Sequence, residues 1–457
     1  MLTAVILAAG EGKRMHSRRP KVLHEICGQP MLAHVIGAVR NVCSDIIVVV
    51  GHQGEEIKAA VGDSVVYAEQ HEQLGTAHAV LQAEPLLPDA GNVLVLCGDT
   101  PLLTPDAIEQ LYTVHRSAAA AATILTATVP NPFGYGRIVR GPDGEIQKIV
   151  EEKDATAEEK MLTEINTGTY AFDIRALREG LVGVKNANAA GEYYLTDCVE
   201  LIIKSGKKVA TSLLPDYRLA LGVNDRIQLA EAQSLMQERI NRNLMAAGVT
   251  MINPATVYID AGVKVGRDTV IFPNTILRGR TVVGEGCMLG PQTEITDSTI
   301  GDGSQVRHSV VTESILEKKV TVGPFCHLRP GTILKSGVKV GDFVEIKNSQ
   351  VGEGSKIPHL SYIGDAEIGC DVNMGAGTIV VNFDGRNKYK TVVADGAFVG
   401  CNSNLVAPVT IGRGAFVAAG STITNDVPAG ALSLARARQV DKPGLAARLL
   451  GHRDDEK

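Results

Sequence analysis

Two folds in one chain are predicted: a Rossmann-like α/β domain with a mostly parallel sheet and, behind it, a left-handed parallel β-helix. Three observations predict them. The first 220 or so residues alternate strand-like runs (4–7, 46–50, 93–96) with helical ones, the pattern of a layered α/β domain. From about residue 259 an aliphatic residue returns every six positions. Large side chains are scarce, with no Trp and 4% aromatics beside 48 Gly, so part of the chain packs through small and β-branched residues.

The repeat falls at Ile259, Val265, Ile271, Leu277, Val283, Leu289 and Ile295, with small residues four places after most of them (Thr269, Thr275, Thr281, Cys287, Thr293, Thr299). It slips, then resumes at Val322, Leu328, Leu334, Val340 and Ile346, at Val351, Ile357 and Ile363, and at Ile368 and Met374. Its last run is Val393, Val399, Leu405, Ile411, Val417 and Ile423. A period of six is neither 3.6 nor 2, so neither one amphipathic helix nor one alternating strand explains it. Three six-residue sides make a triangular coil, and stacked coils put each aliphatic on its predecessor. With roughly 18 residues per coil and ~4.8 Å between coils, about ten coils should span ~50 Å.

Between the two folds, Ile227, Leu229, Leu235, Met236, Ile240 and Leu244 lie at helical spacing, with Gly248 as the stop. The expected organisation is therefore an α/β domain over 1–223, a helical linker over 224–248, the β-helix over 249–437 and a charged tail over 438–457.

Composition removes several classes. A net charge of −6 does not suit a general binder of nucleic acid or anionic membrane. The apolar start runs into residues 10–14, Gly-Glu-Gly-Lys-Arg, instead of a small-residue cleavage site, so it reads as a buried strand. No apolar stretch reaches the ~18 residues of a spanning helix. The eight cysteines are scattered singly, which suits small buried hydrophobes in a reducing cytoplasm.

The first strand ends in Ala8-Ala9-Gly10-Glu11-Gly12-Lys13-Arg14-Met15. A Gly-rich turn there lets backbone N–H groups approach phosphates, and Lys13, Arg14 and Lys21 add charge. Alone the turn is ambiguous: Met15 stands where a dinucleotide fingerprint needs its third Gly, and no Gly-Lys-Ser/Thr follows. The longer series decides. Leu7-x-x-Gly10-x-Gly12-x-Arg14-Met15 with Pro20-Lys21 resembles the sugar-1-phosphate nucleotidyltransferase signature. So do Gln73-Leu74-Gly75-Thr76, Gly98-Asp99, Gly134-Tyr135-Gly136-Arg137, Glu151-x-Lys153, Asn166-Thr167-Gly168 and Gly222-Val223-Asn224. Their order and spacing resemble the bifunctional N-acetylglucosamine-1-phosphate uridyltransferase family through to about residue 437.

The resemblance implies that Asp99 and Asn224 ligate Mg²⁺, and that Arg14 and Lys21 hold the triphosphate of UTP. Leu7, Ala8, Ala9 and Gly10 would line the nucleotide site. Gln70, Gln73, Gly75 and Thr76 would read the uracil, and Gly136, Glu151 and Asn166 would hold the sugar. The chemistry suits these residue types: a sugar phosphate is already an anion, so attack on the α-phosphorus needs charge neutralisation and alignment instead of a base.

In the β-helix, departures from the hexapeptide mark function. One is His359, in Ile357-Pro358-His359-Leu360-Ser361-Tyr362, and the other is a polar insertion over 382–390. N-acetyl transfer to a sugar amine needs a base, and histidine exchanges protons near neutral pH. Both features resemble the acetyltransferase half of the same family. The resemblance makes His359 the base toward glucosamine-1-phosphate. Arg329, Lys347, Tyr362 and Lys388 would hold its phosphate, and Asn373 and Asn382 its sugar and the reacting acetyl group. Phe383, Ala376, Cys401, Ala419 and Arg436 would line the acetyl-CoA channel. Cys401 replaces a frequent Ser and Phe383 a frequent Tyr, each weakening a hydrogen bond. Also implied are a homotrimer through the β-helix, a cytoplasmic location, and a product that feeds peptidoglycan and lipopolysaccharide precursors.

Three other readings stay open to test. The β-helix could be a structural spacer behind a single-activity sugar-1-phosphate nucleotidyltransferase, or the whole chain a non-catalytic scaffold. It could instead hold zinc through His308, His327 and His359, although no acidic partner for these histidines is visible in the repeat frame.

Overall fold

The structure is a computed structural model describing residues 2–51 and 53–450. The chain divides into two compact units between Ile240 and Asn241.

The first unit is built on a sheet whose main path runs Val209–Leu214, Ala122–Thr128, Glu164–Asp173, Asn92–Cys97, Leu2–Leu7, Asp45–Val50, Val66–Glu69. Only Glu164–Asp173 runs against its neighbours on that path. The central strands are continuous apolar runs because both faces are covered. Ala4, Ile6, Val48 and Leu94 pack on one face with Leu32, Val35 and Val39 of helix Met31–Arg40. Val5, Val49 and Val95 pack on the other with Ala79, Val80 and Ala83 of helix Thr76–Ala83. Leu7 pairs with Cys97, so strands Leu2–Leu7 and Asn92–Cys97 end together and the loops after them meet. Open α/β sheets bind ligands at such strand ends.

Helix Arg226–Ala246 occupies the predicted linker. Ala232 and Met236 are buried with Ile26, Cys27, Met31, Leu102 and Val223, while Leu229, Leu235 and Ile240 pack partly against that cluster. Ile227, expected on the buried stripe, is 81% exposed. It lies in the helix's first turn, before the stripe reaches its cluster. The first compact unit thus runs on to Ile240, past the boundary expected at 223.

The second unit is a triangular prism of three all-parallel sheets with 11, 10 and 9 strands. Most strands are two to four residues long, and every coil lays its aliphatic on the one before: Leu277 on Ile295, Leu328 on Ile346, Val399 on Val417. All of the repeat positions named above are buried except Val265, near the first coil, which is half-buried. The slip has a simple cause. Val283, Ile300, Leu316 and Leu334 stack 17, 16 and 18 residues apart, so coils in this stretch have lost one or two residues. Thr299, expected at a tight corner, is consequently exposed, and Ser298 takes the buried corner place. The insertion leaves the coil as expected. Ala366 pairs with Thr391, 25 residues on, and the loop between closes on a Phe383–Lys388 bridge.

Candidate active sites

In the first unit a cavity of about 440 Å³ opens at the strand ends, lined by Leu7, Ala8, Ala9, Gly10, Lys21, Gln70, Gln73, Gly75, Thr76 and Asp99 of the predicted set. Cys97 and Glu192, which sequence reasoning did not single out, line it too. Two glycines show why the loops around this cavity need them. Gly12 has φ +63°, and a Cβ there would lie 2.6 Å from the Cβ of Lys21. At Gly75, φ is +112° and a Cβ would fall 2.5 Å from the Tyr193 carbonyl oxygen. A Cβ at Gly10 would meet no protein atom within 4 Å, so its bareness leaves room for a ligand.

Lys21 ends here as an ion-pair partner of Asp99, and it donates to the Asn224 side-chain oxygen at 3.2 Å. The loop carrying Asn224 is pinned to the strand end by a Val223 N–H to Asp99 carbonyl bond of 2.9 Å. Two oxygen donors converging on one ammonium, with room beside them for phosphates, form a donor set that fits Mg²⁺. Arg14 is exposed in the short helix Lys13–Met15 and does not line the cavity.

The predicted sugar residues form a second group. Asn166 pairs with Gly136 in the sheet, and a Cβ on Gly136 would lie 3.4 Å from the Glu151 carboxylate. Glu151 accepts from the buried Thr196 hydroxyl at 3.2 Å. Burial, then the charges of Asp197, Asp154 and Glu192, lifts the Glu151 carboxyl above the usual range. The Gly134–Arg137 segment is held by the fully buried Arg137, which donates to Glu152 at 2.6 Å, and by the Gly134 N–H to the same carboxylate at 3.1 Å.

On the prism, one corner gathers most of the predicted acetyl-transfer column. Leu360 N–H donates to the Asp342 carbonyl, Gly377 N–H to His359, Asn402 N–H to Ala376 and Gly420 N–H to Cys401. Arg436 caps the run, donating to the Ala419 carbonyl at 2.9 Å. Asp342, His359, Ala376, Cys401 and Ala419 therefore occupy equivalent places in consecutive coils. Gly375 and Gly400 are required there, since a Cβ would fall 2.6 Å from the Cys401 amide and 2.5 Å from that of Ala419.

The face beyond that corner carries the predicted phosphate residues. Tyr362 and Asn382 converge over Gly364, where a Cβ would lie 2.5 Å from the Tyr362 hydroxyl and 2.8 Å from the Asn382 amide. Lys347 and Lys388 are neighbours, and the Lys388 ammonium, then burial, holds Lys347 below its ordinary range. Asp365, missed in the sequence, accepts from Asn348 at 2.6 Å and from Asn382. Burial would raise its carboxyl, but those hydrogen bonds with Lys347 and Lys388 hold it below the usual range. Arg329 is engaged by Glu345 at 2.8 Å. Asn373 lies half-buried on another face, in register with Lys356 and Phe398. Phe383 is exposed at the start of the loop. A cavity of about 390 Å³ under the loop includes Lys388 and Asp365 but not His359.

One expectation is corrected. His359 does have an acidic partner: its Nδ1 hydrogen-bonds Asp342, one coil earlier. The 17-residue offset hid it, because coils here are a residue short of 18. His308 instead meets the Gln292 side chain at 3.1 Å, and among the described residues no cluster of three His, Cys, Asp or Glu is placed to hold a metal.

A Rossmann-like domain with a Gly-rich turn at its strand ends, joined to a hexapeptide prism with a histidine-bearing corner, defines a nucleotidyltransferase fused to an acyltransferase. Comparison with known proteins agrees. Residues 4–159 match the MobA-like NTP transferase domain, 289–375 the GlmU-like C-terminal hexapeptide, and 390–425 the bacterial transferase hexapeptide with its six repeats. The bifunctional protein GlmU of Geobacillus sp. (strain WCH70) is 54% identical over 448 residues, covering 98% of each chain. That of Heliobacterium modesticaldum is 52% identical over 448 residues, again 98% of each, and that of Caldanaerobacter subterraneus subsp. tengcongensis 53% over 444, 97% of each. The chain belongs to the GlmU family of bifunctional enzymes. It is a uridyltransferase and acetyltransferase of UDP-N-acetylglucosamine synthesis, and the single-activity reading is not favoured.

Proposed function

We propose that the two reactions divide between the two constellations, acetyl transfer on the prism and then uridyl transfer in the α/β domain. On the prism, the glucosamine-1-phosphate nitrogen attacks the acetyl-CoA carbonyl carbon, His359 takes the amine proton, and the CoA thiolate leaves. Lys347, Lys388, Tyr362 and Arg329 hold the sugar phosphate, with Asn373 and Asn382 on the sugar and acetyl group. Asn382, Phe383, Ala376, Cys401, Ala419 and Arg436 line the CoA path. Support comes from the corner column, which puts a basic side chain at the head of a run of small residues.

In the α/β domain, a phosphate oxygen of N-acetylglucosamine-1-phosphate attacks the α-phosphorus of UTP and pyrophosphate leaves. Arg14 and Lys21 neutralise the triphosphate, Gln70, Gln73, Gly75 and Thr76 orient the base, and Gly136, Glu151 and Asn166 orient the sugar. Asp99 and Asn224 would hold Mg²⁺, which when bound neutralises charge on the phosphates. The single observation that carries this reading is the convergence of Asp99 and Asn224 on one cation, the Lys21 ammonium. Its test is binding of Mn²⁺ with UTP, followed by electron paramagnetic resonance. Asp99→Asn should weaken it at least ~10-fold, whereas unchanged binding would refute the assignment.

A homotrimer through the prism and a cytoplasmic location complete the reading. Phe325 and Phe343, each 55% exposed and stacked at 5.2 Å, offer apolar surface that self-association would cover. Among the described residues the cysteines form no disulfide, in keeping with a reducing compartment. Sedimentation of the full chain tests the trimer.

A further inference from the structure

Asp342 and His359 end two adjacent parallel strands, Lys339–Asp342 and Lys356–His359, and face each other in their register. The backbone fixes that juxtaposition: Leu360 N–H donates to the Asp342 carbonyl at 3.0 Å, and Gly377 N–H to the His359 carbonyl at 3.3 Å. Within it the Asp342 carboxylate accepts from His359 Nδ1. Nε2 has no hydrogen-bond partner among the described residues.

We infer that Asp342 is a positioning residue for acetyl transfer, holding His359 as the Nδ1–H tautomer so that the Nε2 lone pair faces the sugar amine. This rests on the reading of His359 as the base. The chemistry is that of a neutral imidazole, which has one N–H and one lone pair. A carboxylate can only accept, so it takes Nδ1–H and leaves the basic pair on Nε2. When Nε2 receives the amine proton, the same carboxylate meets the imidazolium without moving. His359 and Asp342 side chains are 55% and 37% exposed, so solvent screens their Coulombic attraction. Orientation and tautomer are therefore the larger part of what Asp342 supplies. An asparagine oxygen can accept the same N–H, but its amide nitrogen can equally donate to Nδ1 and hold the other tautomer, so amide should replace carboxylate only in part and alanine not at all. Asp342 is held below the usual carboxylate range first by the hydrogen bond from His359, which agrees with the pairing without being needed for it.

The test uses the full chain with ¹⁵N-labelled histidine and the variants Asp342→Ala, Asp342→Asn and His359→Ala. Asp342→Ala should lower kcat for acetyl transfer about 10–100-fold, less than the ~10²–10⁴-fold contribution of a base itself. KM for both substrates should stay within about threefold, as expected of a group that touches neither, and uridyl transfer should be unchanged. The His359 ¹⁵N shifts should show loss of the Nδ1–H form in Asp342→Ala, and Asp342→Asn should fall between the parent and Asp342→Ala in kcat with a mixed tautomer signal. Normal kcat in Asp342→Ala, or lowered kcat with an unchanged His359 tautomer, would overturn the inference. Retained acetyl transfer in His359→Ala would instead remove the base reading on which it stands.

Discussion

The Lys21 ammonium donates to the Asn224 side-chain oxygen at 3.2 Å while pairing with Asp99, so residues far apart in sequence share one cation. If Asp99 supplies its charge to a metal there, Asp99→Asn keeps the shape and removes the charge. Uridyl transfer should fall by at least ~10²-fold, the scale of a lost transition-state electrostatic contact. Acetyl transfer should be unchanged. Separate assays of the two half-reactions check this, and uridyl transfer within a few-fold of the parent would dismiss Asp99 as ligand.

Glu151 carries a pH dependence. Its carboxyl is raised by burial and by Asp197, Asp154 and Glu192, so it protonates above the usual carboxylate range as pH falls. If Glu151 holds the sugar as proposed, protonation removes an acceptor for its hydroxyls, and KM for N-acetylglucosamine-1-phosphate should rise on the acid side. The sugar phosphate titrates as well, so Glu151→Gln is the control: its KM should be high throughout and flatter between about pH 5 and 8. A variant profile superimposed on the parent's would clear Glu151 of the role.

Asp197 tests linkage in the same region. Burial, then Glu200 and Asp154, raises its pKa from 3.8 to about 6. The native state therefore holds the proton more tightly than the unfolded chain. Stability contributed by this group is present at low pH and is lost as pH rises through that window, with the full penalty above it. Asp197→Asn should stabilise the α/β domain near neutral pH and give no gain near the ordinary carboxylate value. Discounted for partial exposure to roughly 1 kcal/mol, the gain amounts to about 2–4 °C in Tm. Calorimetry at both pH values decides it.

Truncation tests where the first unit ends. Removing everything after residue 226 strips Ala232 and Met236 from their cluster, and loss of the buried Met236 side chain alone costs roughly 1.5–3 kcal/mol. A fragment ending at 246 should keep uridyl transfer and unfold at higher urea than one ending at 226. Equal midpoints would mean the helix adds nothing to that unit.

Much of this is legible in the sequence alone. A six-residue aliphatic period survives wherever coils stack, so the prism and its loop were plain, as were the strand-end motifs. What escaped did so for physical reasons. Shortened coils moved Thr299 out of the corner and put Asp342 at an offset of 17 from His359. Asp365 and Arg137 act by pairing across coils or strands, and a surface carboxylate or an arginine in a motif does not reveal its partner in sequence. Ile227 obeyed helical spacing but fell before the cluster began. Thr196 sits 45 residues from the Glu151 it donates to, with no periodic relation between them.

The most direct measurement supplies glucosamine-1-phosphate, acetyl-CoA, UTP and Mg²⁺ to the parent, His359→Ala and Asp99→Asn, and identifies every product. The parent should release CoA and pyrophosphate and form UDP-N-acetylglucosamine. His359→Ala should lose CoA release by ~10²–10⁴-fold, and supplied N-acetylglucosamine-1-phosphate should restore its nucleotide product. Asp99→Asn should accumulate N-acetylglucosamine-1-phosphate, and mixing the two variants should restore the complete reaction. UDP-glucosamine without free CoA from the parent, or variants that fail to complement, would contradict two separate sites in one chain.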